Sequence, residues 1–201
     1  MSAPRGFPGP PRVRYTEGMV GNRARPALLG FFLPLTRRTC AELGVGDDTV
    51  AAYLAEVLTE FARTDHLYRL RAPGGARLER VVEMLGLGPP TPGPAGARAF
   101  HRYVGDFALF MSGLFRPFVE RGGYLGYYLE EGARAYARAS ALAEGEPCSG
   151  QLYRELSVRF EYYAGVLDYL RKVRFSGLAG PDPVGAFLRE IEGVVAGLSR
   201  N

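Results

Sequence analysis

Apolar residues recur every three or four positions through most of this chain, and nowhere do they alternate with a period of two over a useful length. This spacing places apolar side chains along one face of an α-helix. Two clear stripes are Val50, Tyr53, Leu54, Val57, Leu58 and Phe61, and Phe100, Val104, Phe107, Met111, Leu114 and Phe118. The pattern predicts an all-α protein, a compact bundle of about six or seven mostly antiparallel helices.

Proline and glycine clusters divide the pattern into segments. They predict helices over residues 26–43, 48–64, 76–86, 96–121, 124–144 and 151–175, and a last helix that opens at residues 182–183. Residues 87–96 are the clearest internal break, and they either join two subdomains or cross the end of one bundle. We expect a single helical domain over residues 26–201, because each half alone is short of apolar residues for a core, with a subdivision at 87–96 as the alternative.

The net charge of +4 lies in the first 25 residues. This segment is rich in proline and glycine, so it predicts a disordered tail that acts as a cationic flexible arm. Weak contact with nucleic acid or an anionic surface would use Arg5, Arg12, Arg14, Arg23 and Arg25. The rest of the chain is electrically neutral, which argues against a folded domain that binds nucleic acid through a basic surface.

Two features bear on the cellular location. Cys40 and Cys148 are too few and too far apart for a disulfide scaffold or a zinc site, and reduced thiols are expected. The apolar stretch 27–35 is about half the length of a membrane span, and no small-residue cleavage site follows it. We therefore expect a cytoplasmic protein with no membrane span.

The residues that carry catalysis or hold metals are scarce. His66 and His101 are the only histidines, and arginines stand three positions before each, so the Glu-x-x-His pairs of a di-iron bundle are absent. A haem ligated by His101 is a narrow alternative. The sequence has neither a nucleophile elbow nor a phosphate-binding loop. We expect no metal, no cofactor, no catalytic residue and no enzymatic activity.

Asp106 is the most informative single position, because it follows Gly105 inside the most apolar helical segment. A buried carboxylate must be paired or protonated. Its partner could be Arg102, Arg116 or a tyrosine hydroxyl from another helix, in a purely structural network. Alternatively, a ligand-binding pocket is lined by His101, Tyr103, Asp106, Tyr127 and Tyr128.

Residues 43–54 have the glycine and valine spacing of a helix-turn-helix, which would extend over about 36–63. The recognition helix would carry Asp47, Asp48, Glu56 and Glu60, and phosphates would repel these carboxylates. An ordinary helical hairpin is the simpler interpretation.

The segments 61–68 and 105–115, together with Tyr127-Tyr128, Gly132 and Tyr136, resemble a group of uncharacterised bacterial all-helical cytoplasmic proteins. The resemblance covers roughly residues 48–175. It implies a bacterial, helical, non-secreted protein and carries over no catalytic residue.

These observations favour a non-enzymatic helical interaction or scaffold protein that forms homo-oligomers and has a possible protein partner. A small-ligand or cofactor binder with an aromatic pocket near His101 and Asp106 is the first alternative. A DNA-binding regulator that uses residues 36–63 is the second.

Overall fold

The part of the chain described by the computed structural model is helical, which confirms the all-α prediction. It comprises residues 24–67, 69–72, 74–143, 147–178 and 180–198. Within these ranges the helices are α1 (Ala24–Glu42), α2 (Asp48–Phe61), α3 (Thr64–Leu67), α4 (Val81–Leu87), α5 (Pro94–Leu114), α6 (Arg116–Arg121), α7 (Leu125–Ala141), α8 (Pro147–Val158), α9 (Phe160–Arg174) and α10 (Pro183–Leu198). The described residues contain no strand, only an isolated antiparallel bridge between Arg71 and Arg77.

The described ranges contain ten helices where six or seven were expected, mainly because two predicted helices are divided. The segment 96–121 breaks at Phe115, whose backbone has φ −112° and ψ 27°. Pro117 explains this break, since proline lacks an N–H and clashes with the carbonyl four residues earlier. The segment 151–175 breaks at Arg159, where no proline or glycine marks the change. The four-residue α3 lies where we expected a connection.

The predicted helix over 76–86 begins later than expected. Leu70 and Leu78 lie side by side, and the Leu78 amide donates a hydrogen bond to the Leu70 carbonyl at 3.2 Å. Gly75 has a φ of +84°, a conformation that side chains with a Cβ rarely adopt. Leu78 is therefore a buried loop residue, and α4 starts only at Val81.

The predicted disordered tail over residues 1–25 lies almost wholly outside the described residues, and with it Arg5, Arg12, Arg14 and Arg23. The prediction is wrong for the last two residues of this segment, because α1 begins at Ala24. Arg25 is thus part of a helix, and its guanidinium pairs with Glu60 at 3.2 Å. Pro26 does not prevent this earlier start, since proline is tolerated in the first helical turn.

Helix α5 is the centre of the described structure. All of its residues from Tyr103 to Leu114 are buried, and it packs most extensively on α7 and α9. Gly105 lies against the ring of Tyr136, and Gly132 of α7 lies against Ala108, so α5 and α7 run antiparallel. One hydrophobic cluster extends from Leu28 in α1 to Ile191 in α10 and includes residues on both sides of 87–96.

We expect Gly132→Ala to destabilise the protein by about 1–3 kcal/mol, because its Cβ would overlap the Phe160 ring and the Ala108 methyl group. Gly165→Ala is the matched control, since Gly165 lies inside α9 with no atom near its missing Cβ. That control should be neutral or stabilising by up to about 1 kcal/mol. Urea denaturation of both variants measures the difference, and equal effects would show that α7 and α9 do not depend on this close approach.

Candidate functional site

The Asp106 carboxylate is buried and accepts hydrogen bonds from two tyrosines. The Tyr53 hydroxyl of α2 donates to Oδ1 at 2.5 Å, and the Tyr136 hydroxyl of α7 donates to the same oxygen at 2.7 Å. Arg102, one helical turn earlier on α5, places Nε 3.4 Å from Oδ2. Helices α2, α5 and α7 therefore meet at one carboxylate. Each of its partners is a polar group with a hydrogen to donate, as a buried carboxylate requires.

The surrounding rings hold these partners in place. Tyr53, Tyr136 and Tyr153 of α8 form a tyrosine cluster in which each pair of ring centroids lies 6.1–6.3 Å apart. Gly105 has no side chain to keep the Tyr136 ring away from α5, so the hydroxyl reaches the neighbouring Asp106. The Arg102 guanidinium lies 5.7 Å from the centre of the Tyr53 ring, a distance suited to a cation–π contact.

Burial decides the direction in which these groups titrate. It raises the pKa of Asp106, and the nearby Arg102 guanidinium and the two donated hydroxyls only partly oppose it. Burial, together with the neighbouring carboxylate, also raises the pKa values of Tyr53 and Tyr136 well above the ordinary value. Both tyrosines thus keep the protons that they donate. Because the pKa of Asp106 is raised in the folded state, protonation of its carboxyl group favours folding at low pH. This contribution to stability is lost as the pH rises through the folded-state pKa.

Asp106 also borders a cleft of about 540 Å³. The cleft lies between α2, α5 and α8, and Arg25 of α1, His66 of α3 and Arg69 also border it. Its aromatic lining consists of Phe61, Tyr103 and Tyr153. Its charged lining consists of Arg25, Arg69, Arg98, Arg102, His66, Glu56, Glu60 and Asp106. The lining is thus mainly charged and polar, and the volume of the cleft lies within the range of small-molecule sites.

Glu60 links the cleft wall to Arg25 of α1 and His66 of α3. Its carboxylate lies 2.5 Å from Nδ1 of His66 and 3.2 Å from Nε of Arg25. The hydrogen bond from His66 is the main cause that lowers the pKa of Glu60 to about 2, and Arg25 adds to it. Glu60 therefore remains ionised at neutral pH, and the Arg25 guanidinium on α1 offsets its charge.

Two of the five predicted pocket residues, Tyr103 and Asp106, lie in this cleft. They are three positions apart and so share a face of α5. The Tyr103 hydroxyl donates to the carbonyl oxygens of His66 and Leu67, each at 3.1 Å, and thereby fixes the position of α3 against α5. The guanidinium of Arg69 lies 5.9 Å from the centre of the Tyr103 ring.

The structure places the other three predicted residues outside the cleft. His101 is half-buried beside the Phe100 ring, its Nδ1 has no hydrogen-bond partner, and burial lowers its pKa. Tyr128 is buried beside Val81 of α4, and Tyr127 lies near Glu131. Their positions along α5 and α7 explain why His101 and Tyr128 lie away from Asp106.

A five-residue offset turns His101 well away from the face that carries Asp106. Tyr128 lies about 12 Å along α7 from Tyr136, which is the residue that reaches Asp106.

The predicted partners of Asp106 were partly right. Arg102 and tyrosine hydroxyls from other helices are its partners, whereas Arg116 pairs with Glu120 at 3.8 Å. Sequence reasoning did not identify Tyr53 as one of those tyrosines, although its place in the apolar stripe of α2 marks it as inward-facing. Tyr153 carries a similar signal, since it lies three positions before Leu156 and seven before Phe160, but sequence reasoning did not use it.

The described ranges contain no candidate metal site, no disulfide and no helix that could span a membrane. They contain no group of three His, Cys, Asp or Glu side chains that could hold a metal ion. Cys40 is buried and Cys148 is exposed, and neither is in a disulfide. Among the described helices none has the length and apolar character needed to cross a lipid bilayer.

The helix-turn-helix alternative requires an exposed second helix, and α2 is mostly buried. Nine of its fourteen residues are buried. Asp47 caps α2 by accepting a hydrogen bond from the Thr49 amide at 2.8 Å, and Asp48 pairs with Arg37. These are the contacts of an ordinary helical hairpin, and they give the DNA-binding reading no support.

Comparison with known protein families, with characterised proteins and with solved structures gives no match. The resemblance to a group of bacterial helical proteins therefore stays an expectation.

We expect Asp106→Ala to cost about 2–4 kcal/mol at neutral pH, because the Tyr53 and Tyr136 hydroxyls would lose their buried acceptor. Asp106→Asn keeps an acceptor oxygen and should cost less. Glu130→Ala is the matched control, because Glu130 also pairs with an arginine four residues away but is largely exposed. It should leave stability nearly unchanged. Chemical denaturation measures all three, and a loss for Asp106→Ala no larger than the control would refute a structural role.

Proposed function

We propose that the protein is a non-enzymatic binder of a small polar molecule, held in the cleft between α2, α5 and α8. The observation that carries this proposal is the cleft itself, about 540 Å³ in volume and bordered by the buried Asp106. Ligand sites are commonly clefts of about 300–1,000 Å³ with a few convergent polar groups.

Binding is preferred to catalysis because the contacts described for the cleft residues include no nucleophile paired with a base. Its buried carboxylate is occupied by two tyrosines and an arginine, and Glu60 is occupied by Arg25 and His66. Groups committed in this way orient and hold a ligand more readily than they move protons.

The sequence favoured an interaction or scaffold protein, and the described surface supports that reading less well. The exposed large apolar side chains are Val82, Phe118, Tyr124, Val158, Tyr162 and Val173. They are distributed over α4, α6, the N-cap of α7, α8 and α9, whereas an interaction site usually gathers such residues into one patch. The homo-oligomeric state, the compact bundle form, the cytoplasmic location and the cationic arm remain proposals from the sequence.

The test uses three probes that share a benzene ring and differ in charge, namely phenol, benzylamine and benzoate. We expect at least one to shift the amide NMR signals of cleft residues such as Ala99 and Ser149 in a saturable manner. Ala99→Phe, which fills the cleft from an exposed position, should weaken that binding about tenfold or more.

Ala137→Phe is the matched control, since Ala137 is an exposed position on α7 that does not border the cleft. It should bind the probe as the unaltered protein does. Absence of saturable shifts with all three probes, or equal binding by Ala99→Phe, would contradict the proposal.

A further inference from the structure

Glu56 lies on the wall of the cleft that α2 provides, one helical turn before Glu60. Tyr53, Glu56 and Glu60 follow one another at intervals of three and four residues, so they lie along one face of α2. Tyr53 at one end of this row donates to Asp106, and Glu60 at the other end pairs with Arg25. Between them, the Glu56 carboxylate makes no hydrogen bond or ion pair within the described structure. Its oxygens therefore remain able to accept hydrogen bonds from a ligand.

The four arginines that border the cleft do not supply a donor to this carboxylate. Arg25 and Arg102 are paired with other carboxylates, at 3.2 Å and 3.4 Å. Arg69 and Arg98 have contacts of their own, and neither forms an ion pair with Glu56. Among the charged side chains of the cleft wall, Glu56 is therefore the one left without a partner in the described part of the chain.

Aromatic side chains border the same cleft. Phe61, Tyr103 and Tyr153 form part of its wall, and the centroids of the Phe61 and Tyr103 rings lie 5.6 Å apart. The carbon atoms of these rings offer apolar surface to the body of a ligand, and aromatic rings attract a nearby cation. The carboxylate and the aromatic wall therefore favour the same charge on the ligand.

The charge of the donor matters as well as its presence. A hydrogen bond between an ammonium group and a carboxylate is roughly twice as strong as one between neutral groups. In a cleft, where bulk water is partly excluded, the attraction between the two charges is also screened less than on an open surface. A neutral hydroxyl group would contact the same oxygens with a smaller gain in free energy.

We propose that the ligand of the cleft is a small organic cation. Its ammonium group donates hydrogen bonds to the Glu56 carboxylate, and its apolar or aromatic body lies against Phe61 and Tyr103. This inference depends on the proposed binding function and adds the chemical class of the ligand.

The experiment compares benzylamine, benzyl alcohol, phenol and benzoate at neutral pH and constant ionic strength, with affinities measured from the amide NMR signals of Ala99 and Ser149. Benzylamine and benzyl alcohol have nearly the same shape and differ in charge. We expect benzylamine to bind at least about tenfold more tightly than each of the other three, because only its donor is charged. Glu56→Gln should weaken benzylamine binding about tenfold and leave benzyl alcohol binding nearly unchanged.

Glu192→Gln on α10 is the matched control, because it removes the same charge from an exposed glutamate that does not border the cleft. It should bind benzylamine as the unaltered protein does, and circular dichroism confirms that both variants are folded. Equal weakening by the two variants would contradict a contact with Glu56.

Two further outcomes separate the ligand class from the binding function. If another probe binds in the cleft as tightly as benzylamine, or if folded Glu56→Gln binds benzylamine unchanged, the cation class is wrong while the binding function stands. If no probe binds there, the binding function itself fails.

Discussion

The buried carboxylate of Asp106 is the point at which polar groups of α2, α5 and α7 meet. A charge in this position is expensive to bury, so the fold must supply donors at short distance. Tyr53 reaches it from α2, Tyr136 from α7 and Arg102 from the same helix. These donors align only when α2 and α7 hold one register against α5, so the network selects a single packing as well as contributing to stability.

The same network connects the core to the cleft. Arg102 is half-exposed, with its side chain over the Tyr53 ring and its guanidinium beside Asp106, so it extends from the buried cluster to the cleft wall. On the opposite wall, Tyr103 attaches α3 to α5 through the His66 carbonyl, and His66 in turn holds Glu60. The cleft walls are therefore fixed by hydrogen bonds before any ligand arrives. A preorganised site of this kind loses little conformational entropy on binding.

Local rules of the sequence predicted the helices well and the site only in part. Periodicity and glycine or proline signals located most helices, and Pro117 also signalled the break at Phe115, which we did not predict. The burial of Asp106 and its pairing with a tyrosine follow from one residue in an apolar helix. Tyr53 lies 53 positions from Asp106, and only the packing of α2 on α5 brings them together. The cleft is equally non-local, since Arg25, Arg69 and Ser149 come from distant segments.

A carbon-13 NMR titration of the Asp106 carboxyl carbon, assigned by its loss in Asp106→Asn, tests whether Asp106 is a buried carboxylate held by tyrosines. We expect a midpoint above the ordinary aspartate pKa of about 3.9, with the Tyr53 and Tyr136 ring signals changing over the same pH range. A midpoint at or below that value, with no response from either tyrosine, would contradict it.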